Sequence, residues 1–512
     1  MNQAFHVLSD LGQSAKPTPT RAMAPFIAKL EKEGAWLVGG AIGQPDEAPR
    51  ADAALAIVRH VLSITGYNAV RGSLGENTAD TMFDLLSMEP PTGRADGYPA
   101  FEGTLEQRQI IAEAEQRRFG TTLSITPQHI CMTAGGSNGL FMAFAGLCNK
   151  RGHERGDVLV FLDPYFPVYD NMAALLDIET DTVSCIGTKF RPNMAGLEQK
   201  ITDLKAAGKN PILVLQSPSN PTGYAFTRQE WEQLATLVNT HSIMVIGDDI
   251  YRRICQDPIS LLDIDPTLLT RGQYVALDCV SKAGGAPGWR SGHILAHPDI
   301  IRQLAPLNLS SGVIFGNSLG TLGHAADMSV DHHLQTAAHY RGQAQDTVNL
   351  LTENNIIRFP HSGDSFYAIA QFTEAKGKPV NANTEKTLRA IATDLEKFGI
   401  VIPKEGDITI ENDFLLMADL LFGYGVRSIP LASSSRDPAA KEMMGVRLVL
   451  TGGKQSIEEL GRRCLLYKEV QLGKAESPKS IPALDSAPSP HIRAAMAHKE
   501  SPDILVGFAQ MG

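Results

Sequence analysis

Four short apolar segments that alternate with helical patterns constrain the fold of this chain more than any other feature. They span residues 158–162, 212–215, 243–246 and 274–277. Strands that are apolar along their whole length and separated by helices are typical of a parallel sheet covered on both faces. The sequence therefore predicts an α/β fold, and in such sheets ligands bind beyond the carboxyl ends of the strands.

Polar residues follow these segments at the edge where a ligand is expected. Asp248 follows the third segment, and Ser281 and Lys282 follow the fourth. A lysine at a strand end can form an imine with an aldehyde, and a nearby arginine such as Arg290 can hold a phosphate dianion. Each feature alone also fits a structural use, because aspartates cap helices and paired basic residues are commonly solvated surface charges.

Two glycine-containing loops add to this pattern. The loop at 217–223 carries two prolines and a glycine, which favour a rigid turn with the Asn220 amide as a fixed donor. The segment 133–140 is rich in glycine and precedes an apolar helical pattern, so its backbone N–H groups can bind a phosphate at a helix N-terminus. An ordinary turn and an ordinary helix cap are the alternatives.

Composition narrows the classes of function. The chain has 46 Lys and Arg against 56 Asp and Glu, a net charge of −10, which disfavours binding to nucleic acid. Its 6 cysteines are scattered without a CxxC pair, which favours a reducing compartment and argues against disulfides and a structural zinc site. No secretory signal and no apolar run of membrane-spanning length is evident, so we expect a cytoplasmic protein without membrane contacts.

In this order, the Asn-Pro-Thr-Gly loop at 220–223, the Asp-x-x-Tyr at 248–251 and the Ser-Lys…Gly-x-Arg at 281–290 resemble the class I/II aminotransferases. These are the aspartate-aminotransferase-like enzymes of fold type I, which depend on pyridoxal 5'-phosphate (PLP). The resemblance implies a large domain with a mostly parallel seven-stranded sheet between helices, plus a smaller α+β domain. It places an N-terminal arm and part of the small domain at 1–50, the PLP-binding domain at 51–325, the C-terminal small domain at 326–472 and a tail at 473–512.

The resemblance also implies roles for individual residues. Lys282 matches the lysine that forms the Schiff base with PLP and moves the proton, and Asp248 matches the carboxylate that keeps the pyridine nitrogen protonated. Asn220 and Tyr251 match the donors to the phenolate oxygen of PLP. The phosphate of PLP is matched by Gly136, Ser137 and Arg290, and the face of its ring by Phe166. Ser281, which precedes the lysine, is the remaining cofactor-binding position.

Substrate and assembly follow from the same resemblance. Arg447 and Gly43 match the residues that bind the α-carboxylate of the substrate, and Asn220 also contributes to the substrate site. Tyr98 matches a tyrosine that reaches the phosphate of a neighbouring subunit, which implies a homodimer or a higher homo-oligomer with shared active sites. No metal is expected, and the pair His332-His333 is interpreted as solvated helix surface.

The sequence departs from the family pattern in two places that bear on the reaction. Cys279 stands where many relatives have a serine that contacts the phosphate. An insertion at about 62–96 places Tyr67, Asn68 and Arg71 to contact a substrate, or else braces the subunit interface.

The predicted function is amino-group transfer between an α-amino acid and a 2-oxo acid in amino-acid metabolism. The alternative is a PLP-dependent lyase or synthase that eliminates or replaces a β- or γ-substituent, with S-adenosylmethionine among the candidate substrates. A non-enzymatic regulator of the same fold is disfavoured, because the chain is acidic and keeps Lys282, Asp248 and Arg447.

Overall fold

The computed structural model describes residues 19–40, 45–65, 100–311, 318–360, 365–396 and 400–481. The chain divides into two compact units. The terminal unit comprises Met1–Gly43, Pro221–Gly223 and Tyr340–Gly512, and the central unit comprises Gln44–Asn220 and Tyr224–His339. The two main boundaries therefore follow residues 43 and 339, whereas the sequence placed them after residues 50 and 325.

A single sheet of seven strands organises the central unit. Its order is β1-β7-β6-β5-β4-β2-β3, and every strand is parallel to the others except β7, which is antiparallel to β1 and β6. This confirms the mostly parallel seven-stranded sheet. The strands are β1 Ile130–Thr133, β2 Asp157–Asp163, β3 Glu179–Ser184, β4 Asn210–Gln216, β5 Met244–Asp248, β6 Tyr274–Cys279 and β7 Gly292–Leu295.

Helices cover both faces of this sheet, as the continuous apolar strands predicted. Alternate residues of β2 show why, because Val158 and Val160 belong to one buried cluster while Leu159 and Phe161 belong to another. The helices are α2 Ala51–Thr65, α3 Leu105–Phe119, α4 Gly136–Leu147, α5 Val168–Leu175, α6 Met194–Ala206, α7 Arg228–His241, α8 Leu261–Ile264, α9 Thr267–Thr270, α10 Pro298–Leu304, α11 Pro306–Ser310 and α12 Ser318–Met328.

The terminal unit is an α+β structure built on a three-stranded antiparallel sheet of order β8-β10-β9. One buried apolar cluster, with Leu37, Leu416 and Tyr467 among its members, fills the space between this sheet and its helices. The strands are β8 Tyr367–Gln371, β9 Ile429–Pro430 and β10 Gly445–Val449. The helices are α1 Pro19–Lys32, α14 Ala382–Ala390, α15 Ala392–Glu396, α16 Asp413–Tyr424, α17 Pro438–Glu442 and α18 Lys454–Gln471.

Helix α13, His333–Glu353, crosses the boundary after residue 339. The sequence suggested one helical stretch over about 317–355, whereas the structure has α12 and α13 with a break at 329–332. His332 lies in this break and contacts both helices, since its Nε2 lies 2.9 Å from Asp327 Oδ1 and its Nδ1 lies 3.1 Å from Thr336 Oγ1. Of the described helices, none combines the length and apolar character that spanning a membrane requires.

Candidate active site

Three neighbouring strands of the central unit, β4, β5 and β6, bring the predicted motifs to one edge of the sheet. Gln216 at the end of β4 is in register with Asp248 at the end of β5, and Asp248 is in register with Leu277 of β6. Since the three strands are parallel, the loops that follow them leave from the same edge. These loops carry Asn220, Tyr251 and Lys282.

Asp248 is fully buried, and only one of its two carboxylate oxygens is bonded. Its Oδ2 accepts from the Tyr169 hydroxyl at 2.5 Å and from Gln216 Nε2 at 2.7 Å. Its Oδ1 is buried and has no hydrogen-bond partner among the described residues. Burial raises the pKa of Asp248 to about 6, although the hydrogen bonds from Tyr169 and Gln216, the nearby Ile250 backbone N–H and the positive charge of Lys282 act in the opposite direction.

Lys282 and Tyr251 lie together beyond the ends of β5 and β6. The Lys282 Nζ is 5.4 Å from the centroid of the Tyr251 ring, and Tyr251 is almost completely buried. Ser281, which precedes the lysine, is also buried. Close backbone packing fixes the turn after the lysine, because a side chain at Gly285 (φ +63°) would come within 2.8 Å of the Glu47 carbonyl oxygen.

An arrangement suited to an anion lies at the start of α4. Gly135 precedes the helix with φ +87°, and Ser137 in its first turn is exposed. The guanidinium of Arg290 lies against Gly135, where an added Cβ would come within 3.0 Å of Arg290 Nη2. The same arginine donates to the carbonyls of Pro287 and Ala134, at 3.0 and 3.4 Å. Backbone N–H groups at a helix start beside an arginine favour a phosphate.

The tight approach of α4 to the strand ends explains the glycine at position 136. A Cβ on Gly136 would lie 3.2 Å from Ile250 Cγ2 and 3.5 Å from Cys279 Sγ. Burial raises the pKa of Cys279, so this thiol is neutral. Cys279 therefore brings a weak hydrogen-bond donor, and no charge, to the arrangement suited to an anion.

Phe166 is half-buried at the end of β2, and its ring packs edge-on against Tyr169 at 5.7 Å between centroids. Tyr169 lies one helical turn further along and donates to Asp248. The sequence motifs predicted a role for Phe166 but none for Tyr169 and Gln216, which both bind Asp248. Gln216 ends β4 and Tyr169 lies within α5, and only the tertiary contact of each with Asp248 identifies its role.

Buried ion pairs surround the segment that follows Tyr251. Arg252 lies 3.4 Å from Glu115 and 3.7 Å from Asp278, and Arg253 lies 3.1 Å from Asp278. These paired charges anchor the chain immediately after Tyr251, and so they restrict the movement of its ring.

The interpretation of His332 as solvated surface is wrong. This side chain is buried and pairs with Asp327, which also binds Arg253 Nη1 at 3.0 Å. The pairing joins residues on either side of the helix break, a contact that helical periodicity does not reveal. Within the ranges that the structure describes, no group of three or more His, Cys, Asp and Glu side chains is placed to hold a metal ion.

The predicted substrate residues lie elsewhere in the chain. Arg447 is in β10 of the terminal unit, between Ile369 of β8 and Ile429 of β9. It is buried, and its guanidinium lies 4.7 Å from the centroid of the Tyr367 ring. Gly43, Tyr98, Tyr67, Asn68 and Arg71 lie outside the described residues, as do most of the insertion and the tail beyond residue 481.

Comparisons with known proteins agree with this geometry. The family model for aminotransferase class I and II matches residues 84–402. The aspartate/prephenate aminotransferase of Thermus thermophilus is 26% identical over 59% of this chain and 68% of its own length. The aspartate/prephenate aminotransferase of Cereibacter sphaeroides is 25% identical over 79% of this chain and 90% of its own length. The solved aspartate aminotransferase of Rhizobium meliloti superposes with a TM-score of 0.67 at 18% identity, covering 90% of this chain and 98% of that one.

The chain belongs to the class I and II aminotransferase family, since the family model covers more than half of its residues. Enzymes of this family are PLP-dependent transferases with the fold-type-I architecture. The predicted family, fold, enzyme class and cofactor are thereby confirmed.

Proposed function

We propose that this protein transfers amino groups between an α-amino acid and a 2-oxo acid, with PLP held at the ends of β4, β5 and β6. The observation that carries the proposal is the meeting of the Lys282 amine, the Tyr251 ring and the buried Asp248 carboxylate at this edge. A primary amine for covalent attachment beside a buried acid is the arrangement that PLP chemistry requires.

The described residues fit PLP at both of its ends. The buried Asp248 Oδ1 has no partner among them, and a protonated pyridine nitrogen supplies the donor that this oxygen lacks. At the other end, Arg290 and the start of α4 with Gly136 and Ser137 suit a phosphate dianion. Phe166 is proposed to pack on the ring face.

Bound PLP supplies an aldehyde that condenses with amines and a ring that accepts electron density from the bond being broken. Lys282 would hold the cofactor through its Nζ, and the same amine would move the proton at the substrate Cα. Tyr251 and Asn220 would donate hydrogen bonds to the phenolate oxygen of PLP. Asp248 would keep the pyridine nitrogen protonated, so that the ring could accept electron density.

Arg447 is proposed to bind the α-carboxylate of the substrate together with Gly43. We expect Arg447→Ala to raise KM for an α-amino acid at least about 30-fold, because truncating one partner of a buried charge pair costs roughly 2–5 kcal/mol. An alkylamine that lacks the carboxylate serves as the matched control, and its reactivity should be the same in both proteins. Steady-state kinetics with an unchanged KM for the amino acid would contradict the role.

Amino-group transfer itself is tested by following the products. The protein, PLP, one α-amino acid and one 2-oxo acid are incubated, and mass spectrometry identifies the new oxo acid and the new amino acid. Aspartate and prephenate lead the panel, since relatives carry both in their names. Equal amounts of both products support transfer, whereas release of a side-chain fragment without the paired amino acid identifies a lyase instead.

A homodimer is proposed as the active unit, with Tyr98 reaching the phosphate site of the second subunit. Exposed apolar side chains of the central unit support an interface, among them Phe101, Leu105 and Leu309. Asn308 donates to the Phe101 carbonyl at 2.9 Å, which brings α11 beside the start of α3. Light scattering on the purified protein should give at least twice the chain mass, and a monomer would contradict this part.

We also propose a cytoplasmic location. All six cysteines are buried free thiols, which suits a reducing compartment. Fractionation of the native host, with the protein outside the cytosolic fraction, would overturn the proposal.

A further inference from the structure

We propose that Gln216 is a positioning residue that fixes both the Asp248 carboxylate and the Asn220 loop for PLP. The inference rests on the proposed PLP site and adds a residue to which neither the sequence motifs nor the family resemblance gave a role.

The contacts of Gln216 join two parts of the site. Its Nε2 donates to Asp248 Oδ2 at 2.7 Å, and its Oε1 accepts from the backbone N–H of Asn220 at 2.7 Å. Both bonds are short and buried. One carboxamide therefore connects the end of β5, where the acid stands, with the loop after β4, where the amide donor stands.

The chemistry of the two partners fixes the orientation of this carboxamide. The Asn220 N–H can only donate, and an ionised Asp248 can only accept. Turning the Gln216 amide over would place its oxygen against the carboxylate and its NH₂ against the N–H, and both contacts would be repulsive. Gln216 therefore favours ionised Asp248.

The same contact decides which oxygen of Asp248 is left for a ligand. Gln216 and the Tyr169 hydroxyl both bind Oδ2, and this leaves Oδ1 buried and without a partner among the described residues. Burial keeps the Tyr169 hydroxyl protonated by raising its pKa well above the usual range. Two donors on one oxygen restrict rotation of the carboxylate, so Oδ1 keeps a constant direction and would remain available to a pyridine nitrogen.

Two substitutions separate this role from simple packing. Gln216→Met preserves approximate size and removes both hydrogen bonds. Gln216→Glu preserves shape and the acceptor for Asn220, but it sets a second carboxyl group against Asp248. Such a pair retains one shared proton at lower pH, when the protonated oxygen donates as the amide did, and it loses that proton at higher pH.

The measurement is the PLP dissociation constant of each variant relative to wild type, at about pH 6 and at about pH 8.5. These two pH values lie on either side of the expected titration of the carboxyl pair in Gln216→Glu. We expect Gln216→Met to weaken PLP binding on the order of tenfold at both pH values, as loss of a hydrogen bond to a charged group predicts. We expect Gln216→Glu to bind almost normally at the lower pH and to weaken only at the higher one.

A second readout follows the Asn220 side of the contact. The pH midpoint of the visible absorbance of lysine-bound PLP should rise in Gln216→Met, because a loosened Asn220 stabilises the phenolate oxygen less. Gln371→Met is the matched control, since Gln371 is a buried glutamine at the end of β8 that donates to the Met443 carbonyl. The control should keep the wild-type midpoint and affinity.

Wild-type affinity for PLP in Gln216→Glu at both pH values would overturn the inference. An equal loss of affinity at both pH values would also overturn it, because Gln216 would then have a packing role only. If Gln216→Met does not fold, the pH dependence of Gln216→Glu decides alone. Failure of the wild-type protein to bind PLP would instead overturn the proposed function.

Discussion

Replacement of Lys282 by alanine is expected to abolish amino-group transfer, with a loss of at least about 10⁴-fold in kcat. The substitution removes both the amine that holds PLP and the group that moves the proton at the substrate Cα, and each contributes orders of magnitude. Lys282 is half-buried beside the Tyr251 ring, so its truncation should leave the strand ends intact. Turnover and the visible absorbance of lysine-bound PLP should disappear together.

Two control proteins make this result specific. Lys282→Arg keeps the positive charge without a primary amine, and it should be as inactive as the alanine variant. Lys200→Ala removes a lysine that pairs with Asp181 at 2.8 Å, and it should remain yellow and active. Activity in Lys282→Ala would reject the assignment of this lysine.

The second large effect is expected for Asp248→Asn. The new carboxamide should place its oxygen at the Oδ2 position, where Tyr169 and Gln216 donate, and so turn its NH₂ toward the pyridine nitrogen. A donor at that point holds the nitrogen unprotonated, and the ring then accepts electron density poorly. We expect kcat to fall on the order of 10²–10³-fold, similar to removal of one preorganised electrostatic group, while PLP still binds.

The adjacent acid provides the matched control for this variant. Asp249 is also buried, and burial raises its pKa to about 7, but its partners are Arg118, Arg252 and Tyr274. Asp249→Asn should change stability and keep the spectrum of bound PLP. A wild-type kcat in Asp248→Asn would show that the acid does not control the ring nitrogen.

The stability of the PLP-free protein is expected to depend strongly on pH because of Asp248. Burial raises the folded-state pKa of Asp248 above its unfolded value, so ionised Asp248 destabilises the PLP-free fold as pH rises through about 6. PLP supplies a cation for this charge. The stabilisation by PLP should therefore be larger above pH 6 than below it, which thermal unfolding with and without PLP measures.

The apolar strands were predictable because burial on both faces leaves a continuous apolar run. The segments at 158–162 and 212–215 are the interiors of β2 and β4. Strand β3 was missed because its residues Glu179–Ser184 are mostly half-buried and polar, and it pairs with β2 alone among the described strands. Strand β7 is only four residues long, too short for a periodic signal.

The site residues were predictable where a local motif carries them, as with Asp248, Lys282 and Arg290. Gln216 and Tyr169 were not, because their roles depend on hydrogen bonds to a carboxylate 32 and 79 residues away along the chain. The burial of His332 is not predictable for the same reason, since its partner Asp327 lies across a break between two helices. Local patterns identify chemistry, whereas tertiary contacts determine which side chains orient it.

The most direct test of the proposed function is the visible absorption spectrum of the purified protein with one equivalent of PLP. The spectrum is recorded before and after addition of an α-amino acid, and again after addition of a 2-oxo acid. We predict an absorbance band of lysine-bound PLP that disappears with a suitable amino acid and returns with the oxo acid. Elimination of a substrate fragment with the band intact would contradict amino-group transfer. A protein that PLP does not colour would contradict the site at Lys282 itself.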